Sequence, residues 1–91
     1  MSRDIKHDSA QKRFEWTEEG LLSFQTYDWQ DGIMTILHTE VPEAAAGRGI
    51  AGDLTRSALD TARANGWKVK AQCAYADAFI RRHPEYMDLT A

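Results

Sequence analysis

The sequence predicts a single α+β domain over residues 1–91, with elements in the order ββββ-α-β-α. Its mixed sheet is an antiparallel meander extended by one parallel pair. Three observations predict this. Residues before Pro42 fall into short strand-like runs with turn signals between them. From Gly49 onward, apolar side chains recur at helical spacing. A further alternating run, residues 67–73, follows that helix, and a strand–helix–strand passage implies a crossover and a parallel pair.

"DIKHD" (4–8) and "KRFEWT" (12–17) read as two short strands joined by a polar turn. "EEG" at 18–20 is a turn signal. "LLSFQTYDW" (21–29) places Leu22, Phe24 and Thr26 on one face and Leu21, Ser23, Gln25 and Tyr27 on the other. "WQDG" is a hairpin turn in which Asp31-Gly32 supplies the positive-φ positions, so Asp28 and Asp31 read as turn residues. "IMTILHTEV" (33–41) is rich in the β-branched residues that strands favour. Between Gly49 and Asn65, Ile50, Ala51, Leu54, Ala58, Leu59 and Ala62 form one helical face. Asp53, Arg56, Asp60 and Arg63 are expected to pair with each other on the opposite face. "NG" at 65–66 stops the helix. "WKVKAQC" (67–73) turns Trp67, Val69, Ala71 and Cys73 one way and Lys68, Lys70 and Gln72 to a wet face. "YADAFIRRH" (75–83) is a short helix stopped before Pro84, and "PEYMDLTA" is a tail with one helical turn.

A chain of 91 residues supports one modest core. With 43% hydrophobic and 27% charged residues it is expected to fold. A net charge of -3 argues against a general nucleic-acid partner. Cys73 is the only cysteine, which excludes an internal disulfide and is compatible with a reducing compartment. No run approaches the roughly 20 apolar residues of a membrane helix, and the opening residues lack the apolar run of a secretory signal. The expectation is a cytoplasmic protein with no membrane partner, a monomer or weak dimer. The histidines and cysteine lack metal-ligand spacing, so no metal is expected.

The densest signal is "PEAAAGRGIAGDLTRSAL" (42–59), with glycines at 47, 49 and 52 where a helix begins. Inside a helix each costs roughly 1 kcal/mol relative to alanine. At a strand-to-helix junction the first N–H groups have no internal partner and the helix dipole adds positive potential. Bare backbone there makes a phosphate or pyrophosphate cradle, with Arg48 as counter-charge. The alternative is a tight turn that allows close helix–sheet packing. No Gly-Lys-Ser/Thr follows, and the spacing is not that of a dinucleotide fingerprint.

Taken with the element order, this loop resembles that of the GNAT superfamily of acetyl-CoA-dependent N-acetyltransferases, especially its small single-domain branch. The superfamily pattern Q/R-x-x-G-x-G/A is met by Ala46-Gly47-Arg48-Gly49-Ile50-Ala51. "HTEVP" (38–42) and "CAYADAFIRRHPEY" (73–86) are similar to that branch as well, so the resemblance spans nearly the whole chain. It implies the acyl-CoA N-acyltransferase fold and transfer of an acetyl group to an amine. It also implies splayed ends of the 33–41 and 67–73 strands, with the pantetheine arm of coenzyme A between them. Backbone groups of Thr39 and Val41 would bind the arm, and Gly47, Arg48, Gly49, Ile50, Ala51 and Gly52 would take the pyrophosphate. Arg82 matches a position that is often arginine in the small branch and would meet a phosphate; Arg81 is the weaker candidate. Two departures stand out. Ala46 replaces the usual Gln or Arg, which implies weaker cofactor binding. Phe79 occupies the helix where many relatives carry a proton-donating tyrosine.

Amine acetylation needs a neutral amine, a polarised carbonyl and a stabilised leaving thiolate. A main-chain N–H near Thr39–Val41 would serve the carbonyl. Cys73, at a strand end just before a helix, is the candidate proton donor or nucleophile, against a reading as a small packed residue. His38 is the candidate base, against a structural histidine, with Glu40 a weaker candidate. His83 reads as a helix cap, and Tyr27 and Trp29 as a weak candidate acceptor lining. The absence of a match to the helices that usually shape the acceptor pocket implies an open site, suited to an extended or protein-borne amine as well as a small one. The alternative function is a CoA or acyl-CoA binding module with little catalysis.

Overall fold

The computed structural model describes residues 3–91. Its strands are β1 (Lys6–Asp8), β2 (Arg13–Glu18), β3 (Leu21–Gln30), β4 (Ile33–Glu40) and β5 (Lys68–Ala71). Its helices are α1 (Ile50–Asn65) and α2 (Ala74–Arg82), with 3-10 segments at Glu43–Ala45, before α1, and Pro84–Leu89, after α2. The sheet runs β1-β2-β3-β4-β5, antiparallel until the parallel β4/β5 pair. The expected element order is the observed one. The first strand is shorter than residues 4–8, because its chain leaves the ladder ahead of Lys6.

Local chemistry accounts for the punctuation. Asp31 and Gly32 both take positive φ, 52° and 79°, as a two-residue hairpin requires. Asp28, expected in the turn, lies within β3, and Lys12 donates to it at 3.2 Å from the end of the β1–β2 turn. Gly66 closes α1 in the left-handed region, its N–H bonding back to the last helical turn.

One core unites the elements. Phe14, Tyr27, Met34, Ile36 and Val69 from the sheet pack with Ile50, Leu54, Ala58, Leu59 and Ala62 of α1 and with Ala76, Phe79 and Ile80 of α2. Both helices therefore cover the same face of the sheet. Lys68, Lys70 and Gln72 look out from the other face, as their alternation predicts.

The charged side of α1 departs from expectation. Its ions bond to other elements rather than to each other. Asp53 accepts from Arg3 at 2.6 Å, Arg56 donates to Tyr86 Oη at 3.3 Å, Asp60 accepts from Tyr86 at 2.8 Å, and Arg63 reaches Asp88 at 2.9 Å. The cause is the two chain ends. The N-terminal segment and the Pro84–Leu89 turn lie along the helix and offer partners outside it. That turn also buries Tyr86 and Leu89, and the chain end joins the sheet through a parallel bridge between Thr90 and Val69.

Leu54 is fully buried beneath the sheet. Leu54→Ala is expected to cost about 2–5 kcal/mol, measured by urea unfolding. His7 stacks on Phe14 at 4.3 Å and shares a 2.6 Å hydrogen bond with Tyr27 Oη. Burial holds its pKa below the usual histidine value. Neutral His7 thus favours the fold, a contribution present above the unfolded value of about 6.5 and lost as pH falls from there through the lowered folded value. The thermal midpoint should fall between pH 7.5 and 5.5, and His7→Gln should remove part of that fall.

Candidate functional site

The site begins where the β4/β5 ladder stops. The last paired residues are Ile36 and Ala71. The Ile36 carbonyl then accepts from both Gln72 N–H, at 3.0 Å, and Cys73 N–H, at 3.1 Å. Two successive amides on one carbonyl turn β5 into α2, while β4 continues alongside β3 to Glu40. The strands part, and among the described residues the stretch Leu37–Glu40 has no sheet partner on its β5 side.

A bulge re-aims that stretch. Tyr27 pairs with Ile36 but Thr26 with His38, so Leu37 is an extra residue. Before it, Met34 and Ile36 point into the core. After it the parity is exchanged. Thr39 turns inward, accepting a 2.9 Å hydrogen bond from Gln25 Nε2, while His38 and Glu40 face out. Thr39 Oγ1 and Cys73 Sγ meet at 3.4 Å across the parting strands.

Beyond β4 the chain reaches the glycine loop. Gly47 and Gly49 both sit at φ +82°, a region that a side chain would strain, and no neighbour crowds Gly47. Gly49 precedes α1 with no side-chain cap, and the first helical N–H to find a carbonyl is that of Asp53, bonded to Gly49 at 3.1 Å. The amides ahead of it lie at the positive end of the helix dipole. They border a pocket of about 310 Å³ lined by Val41, Ala45, Ala46, Gly47, Gly49, Ile50, Ala51, Gly52 and Tyr75. Small residues leave this space open. A Cβ at Gly52 would come within 3.4 Å of the Tyr75 hydroxyl.

Tyr75 is the residue that sequence reasoning missed. It lies in α2 one turn before Phe79, and helical spacing from Cys73 was the available signal. Burial raises its phenol pKa, partly offset by the charge of Arg82. Its hydroxyl therefore stays protonated at neutral pH. Phe79, only 7% exposed, stacks on His83 at 4.0 Å and belongs to the core. His83 accordingly bonds the Phe79 carbonyl at 2.8 Å, closing α2.

The remaining candidates divide. Val41, Gly47, Gly49, Ile50, Ala51 and Gly52 line one pocket, and Thr39 meets Cys73. His38 stands on the outer sheet face, 2.9 Å from Glu40. Arg48 is drawn to Glu18 and Glu19, which raise its pKa, and Arg3 joins Asp53 to the Arg48 carbonyl at 2.8 Å. Arg81 is tied to Asp77, while Arg82 is exposed. Tyr27 is buried and Trp29 packs on Trp67 beside the β3–β4 turn, so neither reaches the parted strands. No helix among the described residues is long and apolar enough to cross a membrane.

This arrangement has relatives. The family model for the GCN5-related N-acetyl-transferase matches residues 13–89. Protein NATD1 of Bos taurus is 38% identical over 52 residues, 57% of this chain and 46% of that protein. The Danio rerio NATD1 is 40% identical over 53 residues, 56% of this chain and 48% of that protein. The match thus spans about half the length of these relatives. The NMR solution structure of a GCN5-like protein from Staphylococcus aureus superposes with a TM-score of 0.76 at 24% identity, covering 97% of this chain and 87% of that one. It shares the fold. With the family pattern running through the strands, the glycine loop and the second helix, this chain belongs to the GCN5-related N-acetyltransferase family.

Proposed function

We propose that the protein transfers an acetyl group from acetyl-CoA to an amine. The observation that carries this reading is the parting of β4 from β5 beside an uncapped helix start. An extended arm fits the first as an added strand, and a pyrophosphate fits the second. Backbone groups of Thr39 and Val41 hold the arm, and the amides from Gly47 to Gly52 hold the phosphates. Arg48 leaves Glu18 and Glu19 to assist, and Arg82 meets a further phosphate. When bound, acetyl-CoA supplies the thioester to be cleaved.

The side chains divide the proton work between the faces. The outer face carries His38, whose Nε2–H donates to Glu40 and leaves Nδ1 as the acceptor for an amine proton. The inner side carries the Cys73 thiol and the Tyr75 hydroxyl, available to the leaving sulfur. The amine arrives from the uncovered outer face, which suits an extended or protein-borne acceptor. A cytoplasmic setting is compatible with the single free cysteine, Cys73.

Titration of ¹⁵N-labelled protein with acetyl-CoA should shift the amides of Gly47, Gly49, Gly52, Thr39 and Val41. An amine screen should then give acetylated product, and Tyr75→Phe should slow it by about 100-fold. Binding without product from any amine would favour the CoA-binding module, a reading to which the buried Phe79 and the Ala46 departure lend support.

Gly52→Ala separates stability from function. Its Cβ enters ordinary contact with Tyr75, and alanine improves the helix by roughly 1 kcal/mol. Unfolding should shift to higher urea concentration while CoA affinity weakens, read by calorimetric titration.

A further inference from the structure

A polar chain runs through the core behind the parted strands. Gln25 is fully buried on β3, as is Thr55 on α1. Gln25 Nε2 lies 2.9 Å from Thr39 Oγ1 and 2.8 Å from Thr55 Oγ1. Thr55 in turn donates to the Ala51 carbonyl at 2.8 Å, in the first turn of α1. Thr39 Oγ1 continues to Cys73 Sγ at 3.4 Å. One amide thus ties together the strand that parts, the helix that begins at the glycine loop and, through Thr39, the cysteine.

The donors in this chain have one consistent direction. A threonine hydroxyl has one proton, and Thr55 spends it on Ala51. Thr55 must then accept from Gln25. An amide nitrogen has two protons, so the second goes to Thr39. Thr39 accepts from Gln25, which leaves its own proton free for Cys73 Sγ 3.4 Å away, a contact in which either atom can donate. With Thr39 as the donor, the sulfur is the acceptor on its inner side and its S–H is free to turn toward the parted strands.

Fully buried polarity of this kind is costly. Among the described residues no donor reaches Gln25 Oε1, and neighbouring Ser23 Oγ is likewise buried and unpartnered. Each such group, stripped of water and left unpaired, destabilises the fold. An apolar side chain at position 25 would fill the space without that cost.

We infer that Gln25 and Thr55 are positioning residues that hold Thr39 as hydrogen-bond donor to Cys73, setting the direction in which the thiol faces the acyl site. The inference deepens the proposed acetyl transfer and rests on it for its purpose. Its test needs no acetyl-CoA, so the two fail separately.

The test measures the rate of Cys73 alkylation by iodoacetamide at pH 7.5. A hydrogen bond to the developing thiolate accelerates it, so Thr39→Val should slow alkylation about tenfold. Thr39→Ser keeps the hydroxyl and should stay within about twofold of the wild type. Gln25→Glu removes the donor and reclaims the Thr39 proton, so it should slow the reaction as Thr39→Val does, although residue 25 does not touch the sulfur. In the wild-type protein, independent of any variant's folding, both Gln25 side-chain N–H signals should exchange with solvent at least 100-fold more slowly than those of a free amide. Equal rates in Thr39→Val and wild type, equal loss in the valine and serine variants, a wild-type rate in folded Gln25→Glu, or fast Gln25 exchange would each overturn the inference.

Discussion

The Ile36 carbonyl, accepting two consecutive amides from Gln72 and Cys73, is the contact on which the rest depends. One acceptor serving two donors ends a parallel ladder without leaving either N–H unsatisfied. It bends β5 into α2 and carries Cys73 to the mouth of the gap. It also releases β4 on that side alone, since β3 still holds it through Glu40. The sheet can therefore open at one end and keep its core closed at the other, where Met34, Ile36 and Val69 remain buried.

The bulge at Leu37 complements this opening. A regular β4 would have continued the alternation of Met34 and Ile36, turning His38 into the helix-covered core and Thr39 out to water. The extra residue exchanges them. It puts an imidazole on the outer face and a hydroxyl on the side of Gln25 and Cys73. Two chemistries are separated by one residue of register.

The architecture was legible in the sequence because periods of two and 3.6 are properties of neighbouring residues, and Asp31-Gly32 and Asn65-Gly66 mark the turns locally. The glycine loop was legible for the same reason. The bulge was not. "IMTILHTEV" alternates no differently for containing it, and the misfit shows only when β3 is laid alongside. Gln25 and Thr55 looked like ordinary polar positions, since their pairing joins residues 30 apart. The α1 ion pairs were misread on similar grounds. Helical spacing made Asp53, Arg56, Asp60 and Arg63 neighbours, but Arg3, Tyr86 and Asp88 come from the chain ends. Tyr75 was not legible because the family resemblance draws the comparison with a proton-donating tyrosine to Phe79, one turn later on the same helix.

The Thr90 bridge to Val69 bears on self-association. An unpaired strand edge invites other chains to add to it. Here β1, one border of the sheet, is three residues long, and β5, the other, is covered at Val69 by the chain's own end. Among the described strands, Leu37–Glu40 is a four-residue run left without a partner on its β5 side. Intruding chains and the proposed coenzyme arm would thus compete for one slot. A ligand seated there would do more than react. It would shield the sheet from aberrant strand addition, making occupancy a safeguard against aggregation.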